Sequence, residues 1–170
     1  MKKVFVTGIA GTGKTALENV LKERGFNTMD VEQVPDLCSW VSNETGEKVL
    51  IPNPDNKFID EHEYKCDISK LEKLLGEYDD HIFVFGSAGD NSDFIPLFDI
   101  VVLLQCEPQT LIHRLQSRDT SVFAKEEEVQ NRMLGWKKQF DEIMLKTGAV
   151  PISTEADIET VADEVTKLLL

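Results

Sequence analysis

The run Gly8-Ile9-Ala10-Gly11-Thr12-Gly13-Lys14-Thr15 admits few folds. It matches the phosphate-loop pattern G-x-x-x-x-G-K-[ST]. Glycines at these positions let the backbone curl into a concave nest with its N–H groups turned inward. A helix that follows adds unpaired first-turn N–H groups and the positive end of its dipole. Lys14 can then reach the β and γ phosphates of a nucleotide, and the Thr15 hydroxyl can ligate Mg²⁺. Gly8, Ala10, Gly11, Thr12, Gly13, Lys14 and Thr15, with Ala16 behind them, are the expected nucleotide contacts.

The flanking residues supply the context that such a loop needs. Lys2 to Thr7 is a short β-branched and aromatic run, which reads as a buried strand. Ala16, Leu17, Val20 and Leu21 recur at helical spacing, and Gly25 is a stop signal. Further strands are expected at Phe26–Asp30, His81–Phe85, Ile100–Leu104 and Ala149–Ile152. Phe26–Asp30 is short and weak, whereas the continuous apolar runs of the others suit strands covered on both faces. Helices are expected at Ile68–Tyr78 behind an Asp67 cap, after Pro108, over Lys125–Thr147 up to Gly148, and over Glu155–Leu170. Alternating strands and helices predict an α/β fold with a doubly wound parallel sheet, its ligands beyond the carboxyl ends of the strands. Val31 to Cys66 is the least regular stretch and reads as a helix followed by a loop or small hairpin.

With 170 residues the chain suits one domain, 1–170. Its net charge of −13 argues against nucleic acid as the main partner. The apolar runs are too short to span a bilayer, so no membrane partner is expected. Cys38, Cys66 and Cys106 lack metal spacing and read as free thiols in a reducing, cytoplasmic setting.

The chain resembles small P-loop kinases of the adenylate kinase and shikimate kinase type over nearly all its length. Three features carry the resemblance. They are the phosphate loop, the helix end Leu111-Ile112-His113-Arg114-Leu115-Gln116-Ser117-Arg118, and Arg132 in the helix beyond. The resemblance implies a three-layer fold with a five-stranded parallel sheet of order 2-3-1-4-5, an acceptor-binding insertion at about 31–66 and a lid at about 118–125. It also implies that Arg114 lies near the adenine, that Arg118 contacts ATP phosphates and that Arg132 approaches the transferring group. Planar guanidinium donors suit charge spread over phosphoryl oxygens, and lid closure excludes water. ATP and Mg²⁺ are the implied cofactors. The implied protein is a monomer or a homodimer.

Asp30 ends the second strand and resembles the acid that shikimate-type kinases place there. It can act as base for an acceptor hydroxyl, or hold Mg²⁺ through water. Lys14, Asp30, Arg118 and Arg132 are thus the candidate catalytic residues, and Thr15 and Asp30 the candidate metal contacts. Glu32 is an alternative to Asp30. Trp40 fits either a stack on an acceptor ring or core packing. Ser153 and Thr154 resemble the loop bordering the adenine.

The chain departs from mononucleotide kinases in its acceptor half. No arginine occurs between Gly25 and His113. Phe26 to Cys66 holds nine acids against three lysines. That field disfavours a second phosphate ester and suits a neutral or cationic acceptor. The leading reading is a kinase transferring the γ-phosphoryl group of Mg-ATP to a small molecule. The alternative is a nucleotide-hydrolysing switch or assembly factor. A GTPase is disfavoured: there is no D-x-x-G after a strand, and Asn56-Lys57-Phe58-Ile59 lacks the acid that reads guanine.

Overall fold

The computed structural model describes residues 1–50, 61–86, 93–117 and 127–170. In chain order the strands are β1 (Lys3–Thr7), β2 (Asn27–Asp30), β3 (Cys38–Ser42), β4 (Lys48–Val49), β5 (His62–Cys66), β6 (Ile82–Phe85), β7 (Ile100–Gln105) and β8 (Val150–Ser153). The α-helices are α1 (Lys14–Glu23), α2 (Ile68–Leu75), α3 (Pro108–Gln116), α4 (Glu127–Lys146) and α5 (Ile158–Lys167).

Five strands pair in the order β2-β6-β1-β7-β8, all parallel. Counted along the chain within this sheet, that is 2-3-1-4-5, as the resemblance implies. The pairing follows from side-chain period. Val4 and Val6, Phe83 and Phe85, and Val102 and Leu104 point to one face, where Leu17 and Leu21 of α1 and Val161 and Val165 of α5 cover them. Phe5, Ile82 and Val84 point to the other, under Leu71 and Leu75 of α2 and Phe94. Leu103 shares that face with Met144 of α4. Helix, sheet and helix form three layers. The fold is that of the P-loop kinases, and it delivers the ends of β1, β2, β6, β7 and β8 to one rim.

Helix ends follow the expected chemistry. The Asp67 carboxylate accepts from the Lys70 N–H at 3.0 Å and starts α2. Gly25 and Gly148 adopt φ of 85° and 88°, and α1 and α4 stop before them. Gly135 sits within α4 with nothing within 4 Å of where a Cβ would be.

Two expectations need correction. The described part of 31–66 contains no α-helix at its start. Turns follow β2, and then β3, β4 and β5 form a separate antiparallel sheet of order β4-β3-β5. The reason is pairing: β3 and β5 lie side by side from Cys38↔Cys66 to Ser42↔His62, so each satisfies the other's backbone. The same register sets Cys38 opposite Cys66, and they form a disulfide; only Cys106 is a free thiol. The free-thiol reading therefore fails for Cys38 and Cys66. Among the described residues, no helix is long and apolar enough to cross a membrane.

Candidate active site

β1 delivers the chain to the loop, and α1 carries it away. Gly8 closes on the sheet: a Cβ there would lie 2.6 Å from Thr12 Oγ1 and 2.9 Å from the Leu104 carbonyl. Gly13 caps α1 at φ 106° and ψ 12°, a left-handed conformation that side chains resist. The Thr12 hydroxyl donates to the Ile9 carbonyl at 2.8 Å and Lys14 Nζ donates to the Gly8 carbonyl at 2.5 Å, so the loop is braced from within. The left-handed turn at Gly13 and the close approach at Gly8 shape a cradle that fits the phosphates of a nucleotide.

Two clefts flank the loop. The first, of about 160 Å³, is lined by Lys14, Thr15, Glu18, Asp30, Glu32 and Gly86, with Ala10, Gly11, Gly13 and Phe85. It brings the predicted Lys14, Thr15 and Asp30 together. Asp30 Oδ1 accepts from the Glu32 N–H at 2.9 Å, and Oδ2 accepts from Gln33 Nε2 at 3.0 Å. The carboxylate is thereby oriented by the turn that follows β2. Glu18 is a cleft residue that the sequence reading missed. Its position four residues after Lys14 was the available signal, since such neighbours share a helix face. Burial, and then the charge of Asp30, push the Glu18 carboxyl up from its ordinary range. Burial, Glu32 and Asp30 likewise push the Tyr64 phenol up, which sets that ring of β5 within the field of these acids.

The donor set suits Mg²⁺: hard oxygens from Thr15 and the nearby carboxylates. Among the described residues no cluster of three or more His, Cys, Asp or Glu could cage a metal. A magnesium ion here would therefore draw most of its ligands from phosphate and water, with Thr15 the protein group at hand.

The second cleft, of about 590 Å³, lies on the other side of the loop. Gly11, Gly13, Thr15, Ala16, His113, Arg114, Ser117, Thr154, Ala156 and Ile158 line it. The Arg114 guanidinium spans it at its floor. Nη1 donates to Thr154 Oγ1 at 2.9 Å and to the Gly11 carbonyl at 3.4 Å, and Nη2 donates to the Thr154 carbonyl at 2.6 Å. Arg114 thus joins α3, the exit of β8 and the loop. Its fork geometry makes this possible.

Other predicted residues lie elsewhere. The Arg132 guanidinium stands 4.8 Å from the centroid of Trp136 on its own helix, and lines neither cleft. Trp40 packs on Tyr64 with ring centroids 5.1 Å apart, the half-buried packing role. Gly86 lines the first cleft, and the Val31 side chain occupies the space its Cβ would take. Arg118, the lid at 118–125 and the stretch from Ser87 to Asn91 lie outside the described residues.

The chain is similar to known proteins. The family described as "AAA domain" matches residues 4–135. An "Adenylate kinase isoenzyme 6 homolog" from Caenorhabditis elegans is 30% identical over 140 residues, covering 78% of this chain and 68% of that protein. A "Putative adenylate kinase" from Methanocaldococcus jannaschii is 23% identical over 168 residues, 96% of this chain and 83% of the relative. The structure of shikimate kinase from Acinetobacter baumannii in complex with shikimate superimposes with a TM-score of 0.66 at 15% identity, covering 99% of this chain and 93% of that one.

Proposed function

We propose, for a chain that belongs to the AAA domain family and is a small P-loop kinase of the adenylate kinase and shikimate kinase type, that it transfers the γ-phosphoryl group of Mg-ATP to a neutral or cationic small molecule through a hydroxyl. The observation that carries this reading is the convergence of Lys14, Thr15 and Asp30 on one cleft in front of the phosphate loop. The loop amides and Lys14 hold the polyphosphate and offset charge on the moving group. Bound Mg²⁺ would neutralise phosphate oxygens there. Asp30 would accept the proton as the acceptor oxygen bonds to phosphorus and the bond to the leaving ADP oxygen breaks. The base of ATP fits the larger cleft between Arg114 and Ala156. The catalytic and lid roles of Arg118 and Arg132 belong to the same proposal.

The acceptor class rests on charge. Glu18, Asp30 and Glu32 face the first cleft, and no arginine occurs between Gly25 and His113 to hold a second phosphate. The relatives' names point to adenylate, a mononucleotide; the acids of this chain favour an acceptor without that charge. In this reading the chain works as one domain, with 31–66 as its acceptor side, as a monomer or a homodimer.

The test is a panel of paired acceptors: nucleosides beside their monophosphates, and polyols and amino alcohols beside sugar acids. ADP release and product mass are both measured. Phosphorylation of the neutral or cationic member of each pair is expected. Asp30→Asn is expected to lower turnover at least tenfold while ATP affinity stays within about twofold. Preference for AMP would overturn the acceptor class, and no transfer at all would overturn the kinase reading.

One observation favours a second reading, an NTPase that switches partners. Both Asp30 oxygens are engaged by the turn, as a structural cap would be. ATP turnover without any acceptor, together with an Asp30→Asn variant that keeps it, would select that reading.

A further inference from the structure

A buried polar path runs from α4 to the base-side cleft, and nothing in the proposed chemistry uses its far end. Lys137 Nζ donates to Asp141 Oδ2 at 2.5 Å, one helical turn apart. Both side chains are about a tenth exposed, at 12% and 11%. Gln105 Nε2, at the end of β7, donates to the same oxygen at 3.1 Å. The Gln105 carbonyl accepts from the Thr154 N–H at 2.8 Å and from Thr154 Oγ1 at 3.2 Å. Thr154 in turn accepts from Arg114 through both its oxygens. The path thus passes from α4 through β7 and the exit of β8 to α3, and its last members line the cleft.

We propose that Lys137, Asp141 and Gln105 are positioning residues for the nucleotide's base, resting on the nucleotide-binding reading above. Three features support the role. A nearly buried ion pair adds little net stability, because desolvation offsets its attraction, and what it does fix is the direction of the Asp141 carboxylate. Among the described residues, Asp141 Oδ1 is buried with no hydrogen-bond partner. The carboxylate is therefore oriented through its other oxygen alone, which accepts from both Lys137 and Gln105. Lastly, Thr154 sends two donors to one carbonyl, so a shift of Gln105 carries Thr154 and the Arg114 fork with it. The path touches the phosphate loop through the long 3.4 Å contact between Arg114 and the Gly11 carbonyl, while Thr12 and Lys14 brace the loop by bonds within it.

The split between base and phosphates gives the test. Calorimetry compares Mg-ATP with inorganic tripolyphosphate, which has no base, on the full chain. Variants are Gln105→Met and the pair Lys137→Met with Asp141→Leu, which leaves no lone buried charge. Each is expected to weaken ATP binding about tenfold and tripolyphosphate binding about twofold or less. Lys137→Met with Asp141→Asn keeps an oxygen for Gln105 and is expected to restore ATP affinity. Steady-state kinetics should show a raised KM for ATP rather than a lowered kcat. Equal loss for both ligands, or unchanged ATP affinity in both variants, would overturn the proposal. If the unaltered protein binds neither ligand, the nucleotide reading itself fails. Should the double variant not fold, Gln105→Met, a change at a half-buried strand end, decides the matter.

Discussion

Glu18 shows how one residue is tuned by its neighbours. Its carboxyl is pushed up by burial and by Asp30, so the folded chain holds this proton more tightly than the unfolded one. Between the ordinary carboxyl range and the raised value, the folded state binds more protons. Stability from this group therefore falls as pH rises through that window, and the full cost is present above it. Glu18→Gln is expected to raise the melting temperature at pH 7 and to change nothing below about pH 4. Solvent screening at this part-exposed site keeps the gain below about 1 kcal/mol. That is about 2 °C in a chain of this size, within reach of paired thermal melts. Cys106 is pushed up in the same direction by burial, which leaves its thiol unreactive at neutral pH. The loop residues were legible in the sequence because their contacts are local. Lys14 reaches Gly8 and Ile9, and Thr12 reaches Ile9, all within one turn of chain. Glu18 was not, because its meaning comes from Asp30 on another element.

Among the elements, α2 depends on its cap. It is short, Ile68–Leu75, and carries Leu71 and Leu75 into the core. Asp67 accepts from Lys70 through its side chain, and its N–H donates to the Leu37 carbonyl at 2.8 Å. Asp67→Ala removes the first bond and keeps the second, and is expected to cost about 1 kcal/mol in urea unfolding. This helix and four strands of the main sheet could be read directly, since apolar runs and a cap residue mark them; β2, Asn27-Thr28-Met29-Asp30, carries only a weak signal. The small sheet could not. Cys38-Ser39-Trp40-Val41-Ser42 is half-buried throughout, and Lys48–Val49 is only two residues long. Neither carries a burial rhythm, and only their pairing with His62–Cys66 makes them strands.

Across the whole molecule, the disulfide ties the small sheet to the point where α2 begins. It links residues 28 apart in sequence. Closing a loop of that length stabilises a fold by about 3.5 kcal/mol. Reduction with a dithiol is expected to lower the unfolding free energy by that amount, read from urea curves with and without reductant. Spacing alone did not reveal this bond, because the register that makes Cys38 and Cys66 face each other is a property of the sheet. The same holds for Gln105, Thr154 and Asp141, which meet only once three elements have packed. Their meeting has a consequence for descent. A half-turn of the Gln105 amide would set its oxygen against a carboxylate, so the group has one acceptable orientation. A lineage that exchanged this glutamine for glutamate would place two acids face to face, and would keep it only by giving up the acid on α4. A change at position 105 is thus expected to be tolerated only with a matching change at position 141, although the two lie 36 apart in sequence.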